Sequence, residues 1–118
     1  MVKSSTFSKK PLSDFDSYED AYHHLIHALI LQQVQSTKIV LSGSPVNTIF
    51  VDGGFGKNPI YMNLLARSFP GIKVYAATVA QASSLGAALA IHKSWNKEAI
   101  PADIIDLKFY DTKNEIPV

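Results

Sequence analysis

The sequence predicts an α/β domain with its elements in the order α-β-α-β-α. Three observations carry this. Two short runs, TIFV at 48–51 and IKVYA at 72–76, have the β-branched and aromatic content of buried strands. The segments around them place apolar residues at helical spacing. Breakers divide strand from helix, with Gly43 and Pro45 before the first run and Pro70-Gly71 before the second. Strands alternating with helices imply parallel pairing through right-handed crossovers.

Residues 1–16 are polar, rich in Ser and Lys and broken by Pro11, which reads as a poorly ordered lead-in or a linker from something larger. Ser17 is placed to cap a first helix, with Glu19 and Asp20 in its first turn where the helix dipole favours negative charge. Ala21, Tyr22, Leu25, Ile26, Leu29, Ile30 and Val34 form its apolar face, which carries the helix to about Gln35. The following STKIVL suits a strand by its β-branched residues and a helix by its spacing. After the first strand, Asn58-Pro59 gives the cap and first residue of a second helix. Tyr61, Met62, Leu64, Leu65 and Phe69 supply its contacts. A third helix begins in SSLGAALAIHKSW, and residues 97–118 read as a C-terminal extension with mixed signals. Two parallel strands do not make a stable sheet alone, so the chain reads as one edge of a larger one.

The 118 residues fit one domain, and 47% hydrophobic with 18% charged residues is a globular composition. The longest apolar stretch, LIHALIL at 25–31, is far too short to span a bilayer, and the first residues, charged but with no apolar run after them, do not read as a signal peptide. Formal charge is +1 with no basic stripe, so neither nucleic acid nor a membrane is an expected partner. The absence of cysteine excludes a disulfide framework and a thiolate metal site, and fits a cytoplasmic protein.

The feature that asks for an explanation is FVDGGFGKN at 50–58. Gly53, Gly54 and Gly56 fall between a strand end and a helix start, where exposed N–H groups and the helix dipole suit a phosphate. Spacing alone leaves two readings open, a ligand-free turn and a phosphate cradle. The loop matches neither a Walker A sequence nor GxGxxG. Asp52 reads as a side-chain cap of the turn. Small residues in SSLGAALA at 83–90 predict close helix packing. His23 and His27 stand four apart, but no third ligand or HEXXH accompanies them, so they read as surface or packed side chains.

IFVDGGFGKN, an amphipathic helix, KVYAAT and then QASSLGAALA together resemble the C-terminal part of FGGY-type carbohydrate kinases, over about Tyr18 to Trp95. The nearest flavour is the rhamnulose, fuculose and xylulose kinases. The resemblance implies part of a ribonuclease-H-like, actin-like ATPase domain over 17–96, and it favours helix for STKIVL. It implies that Gly53 and Gly54 lie against the α-phosphate and ribose of ATP, that Phe55 takes a position usually held by a small residue, and that Asn58 reaches the nucleoside. Gln81 stands where many members have Glu. The family's phosphate loops, magnesium-associated carboxylate and general base lie earlier in its chain, and no segment here matches them. The expectation is therefore the ATP-binding C-terminal portion of a ketose kinase, with no catalytic or metal-binding residue of its own, and with magnesium and sugar engaged by the missing part. The alternative from a different class is a non-catalytic binding or dimerisation module of the same fold. A Rossmann-like module would need an acidic residue ending the second strand, and KVYAAT has none.

Overall fold

The computed structural model describes residues 6–77 and 82–112. Helix α1 spans Tyr18–Leu41 and begins where Ser17 Oγ accepts the Asp20 N–H at 3.0 Å. The ambiguous STKIVL is helical. Val34 and Leu41, seven apart, both pack against the core, whereas Ile39 and Val40 stay exposed. Helical spacing thus overrides the β preference of individual residues there. Gly43, at φ +71°, follows the helix end.

Strand β1 (Thr48–Val51) pairs in parallel with β2 (Lys73–Ala77), joined through helix α2 (Pro59–Ser68). Small helices α3 (Ala82–Ala90) and α4 (His92–Trp95) follow. The third helix expected over SSLGAALAIHKSW is interrupted at Ile91, whose ψ of 9° leaves helical geometry. Strand β3 (Leu107–Tyr110), within the segment read as an extension, pairs antiparallel with β2. The sheet is therefore three-stranded and mixed, in the order β1-β2-β3, where parallel pairing alone was expected.

Helices α1 and α2 cover one face of this sheet. Ile26, Ile30, Met62, Leu65, Ala66, Val74, Ala76 and Tyr110 form the core beneath them, with Met62 and Val74 fully buried. Strand alternation sends Phe50, Tyr75 and Phe109 to the opposite face. They are register partners across the three strands, with ring centroids 5.6 and 5.2 Å apart. No described helix packs closely over that face, so Phe50 and Phe109 remain 61% and 49% exposed.

The lead-in is more structured than its composition suggested. From Thr6 it forms two 3-10 turns, Phe7–Lys9 and Leu12–Asp14. Phe15 joins Phe7 to the His24 ring of α1, with centroids 5.4 and 5.2 Å away.

Candidate nucleotide-binding turn

The glycine turn occupies the C-terminal end of β1, where ligands of α/β sheets commonly bind. Gly53 sits at φ +81°, ψ −160°, a backbone region open almost only to glycine. Gly54–Lys57 then form a 3-10 turn, closed by Gly56 N–H to Gly53 C=O at 3.1 Å and Asn58 N–H to Phe55 C=O at 3.1 Å. The N–H groups of Gly54 and Phe55 head this turn without a backbone acceptor among the described residues. Both residues are exposed, and a Cβ added at Gly53 or Gly54 would meet no atom of the described residues within 4 Å.

Gly56 plays a different part. It is buried, and a Cβ there would lie 3.0 Å from the Val51 carbonyl oxygen and 3.7 Å from that of Ala77. The turn is thereby seated on the ends of both parallel strands. The motif shows Gly56 as one glycine of three; its role depends on a strand 21 residues further on and was invisible to local reading.

Asn58 links three elements. Its Oδ1 accepts the Tyr61 N–H at 3.1 Å, capping α2, and its Nδ2 donates to the Tyr22 hydroxyl of α1 at 2.7 Å. The amide the resemblance aims at a nucleoside is thus also a structural tie. Tyr22 as its partner could not be read locally, since the two lie 36 residues apart. Phe55 stacks on Tyr61, centroids 4.5 Å apart and planes 26° apart, and stays 46% exposed. Tyr61 is buried, which pushes its phenol above the ordinary value.

Asp52 is exposed and lines a cavity beside the turn; among the described residues it makes no capping hydrogen bond to it. Gln81 lies outside the described residues. His23, His24 and His27 line a separate cavity of about 420 Å³ with Asp20, and His24 Nδ1 donates to the Asp20 carbonyl at 2.9 Å. Among the described residues no group of three His, Cys, Asp or Glu side chains could hold a metal ion. Nor is any described helix long and apolar enough to cross a membrane.

A strand, a glycine turn with two open donors, and a capped helix belong to many nucleotide folds. The family is decided by a match of residues 12–95 to the model described as "FGGY family of carbohydrate kinases, C-terminal domain". The chain belongs to that family. The match takes in the glycine turn, both parallel strands and helices α1 to α4. Comparison with curated proteins and with solved structures gave no match. An FGGY C-terminal domain accounts for the mixed α/β architecture, in which helices cover one face of the sheet. Strand β3 lies beyond the matched residues.

Proposed function

We propose that this chain supplies the nucleoside and α-phosphate side of the ATP site of a sugar kinase, and that it holds no catalytic group itself. The observation that carries the reading is the pair of N–H groups at Gly54 and Phe55, two exposed residues whose amides meet no backbone acceptor among the described residues, beside two glycines with no described atom within 4 Å of an added Cβ. Donors fixed in a turn at a helix entrance suit a phosphate, and the missing Cβ atoms let it approach. The residues therefore fit the nucleotide that the family implies.

In the intact enzyme ATP would supply a γ-phosphoryl group for a ketose hydroxyl. Such transfer depends on positioning and on charge neutralisation around the γ-phosphate. This chain's share is to fix the distal part of the nucleotide. Magnesium and the sugar would be engaged by groups outside it, in a cytoplasmic setting. Titration of the isotopically labelled chain with ATP tests the reading. The amide resonances of Gly53, Gly54 and Phe55 should shift, and no phosphorylated ketose should form. Flat amide spectra at millimolar ATP would remove the binding role, and robust turnover by the chain alone would remove the claim that it lacks catalytic groups.

A second reading, a dimerisation module, is favoured by the uncovered Phe50, Tyr75 and Phe109 face. Its occupant would be a second copy of the same chain.

A further inference from the structure

Phe55 stands where the turn meets two cavities. One, of about 300 Å³, is lined by Gln33, Thr37, Asp52, Phe55 and Tyr61 among others. The second, of about 290 Å³, shares Gln33, Phe55 and Tyr61 and adds Gln32 and Ser36. Together they form a cleft between the C-terminal half of α1 and the glycine turn. One ring face of Phe55 rests on Tyr61, which is buried and held in the first turn of α2. Phe55 stays 46% exposed and lines both cavities.

A ring that served only to fill the core would be covered, and this one is not. What it offers is a flat apolar surface, backed by a second ring and facing a rim of amides and hydroxyls. Gln33 lines both cavities, and its Nε2 donates to Thr37 Oγ1 at 3.0 Å, so the acceptor its amide brings to the cleft is Oε1. The chemical complement is a planar heteroaromatic ring with an amino group on its edge.

We propose that Phe55 is the stacking platform for the base of the bound nucleotide, and that Gln33 accepts from the base's exocyclic amine. The inference rests on the nucleotide reading of the glycine turn. It makes Phe55, which replaces a usually small residue, a specificity-determining side chain.

The test uses the full chain and calorimetric titration with three ligands: ATP, ITP, which lacks the exocyclic amine, and inorganic tripolyphosphate, which lacks the base. Phe55→Ala should weaken ATP at least about five-fold, the lower end of base–aromatic stacking. Tripolyphosphate affinity should not change, and Phe55→Tyr should restore ATP binding. Gln33→Leu should erase the preference for ATP over ITP. Melting curves confirm that each variant folds. If Phe55→Ala leaves ATP unchanged or tightens it, the ring is a filler or an obstruction and the base site is overturned. Equal weakening of ATP and tripolyphosphate overturns it too, because the ring would then act through the turn. If neither ligand binds the wild-type chain, the nucleotide reading fails and the base site fails with it.

Discussion

At Gly53 the backbone lies at φ +81° and ψ −160°, whereas Gly54 begins a 3-10 turn that any residue can enter. Gly53→Ala should therefore cost about 1–3 kcal/mol of stability through backbone strain. Gly54→Ala should leave the urea midpoint nearly unchanged, because its Cβ would meet nothing. On the nucleotide reading the same methyl group lies where the phosphate approaches, so Gly54→Ala should lose ATP binding while keeping the fold. Denaturation and titration of the two variants separate these effects. Tyr61 gives a prediction in pH. Its raised phenol pKa means that the folded chain keeps the proton more firmly than the unfolded one. That contribution is complete below about pH 10, the ordinary tyrosine value, and is lost as pH rises through the higher folded value. Wild-type stability should fall above pH 10, and Tyr61→Phe should make the fall shallower. The glycine positions themselves were plain from the motif. Which glycine is strained, which is open and which is packed was not, because that depends on where the ends of β1 and β2 come to lie.

Among the elements, α2 is capped and also tied to α1 by one side chain, Asn58, in addition to the apolar core the two helices share. Removing the Asn58 cap costs about 1 kcal/mol in typical helices, and its bond to Tyr22 adds a tie between helices. Asn58→Ala and Tyr22→Phe should each destabilise by about 1–2 kcal/mol. A double-mutant cycle should show a coupling of at least about 0.5 kcal/mol, and additivity would mean that the Asn58–Tyr22 bond contributes nothing. Helices α1 and α2 were legible because their caps and apolar faces are local: Ser17 and Asn58-Pro59 mark the starts, and the buried residues recur at helical spacing. Strand β3 was not. LKFY has one buried residue, Tyr110, and its place is fixed by antiparallel strand pairing with Val74 and Tyr75 more than thirty residues earlier. The ambiguity of STKIVL was resolved by Leu41 reaching the core, another contact that spacing permits but cannot demand.

For the molecule as a whole, the radius of gyration is 17.7 Å, against about 13–14 Å for a compact chain of this length. Helix α3 has no buried residue, and among the described elements its main packing partner is α4. The aromatic face of the sheet is open as well. Rings of this size bury roughly 150–250 Å² each when covered, so an apolar surface of this kind favours association. Sedimentation should show the purified chain self-associating as concentration rises, and Phe50→Lys should shift it toward monomer. A monomer at all concentrations would dismiss the dimerisation module. The sequence anticipated incomplete cover from the count of strands, although the ladder itself required knowing that β3 brings Phe109 beside Tyr75.

Gly56, pressed beneath the Val51 and Ala77 carbonyls, has a kinetic consequence. The turn takes its shape when the sheet forms, so a ligand arriving at Gly53 and Gly54 meets a surface already set. Nucleotide association should then be a single step, with an observed rate that climbs linearly with ligand concentration and reaches no plateau from loop rearrangement. Gly56→Ala would force the turn away from its seat, and a saturating rate should emerge.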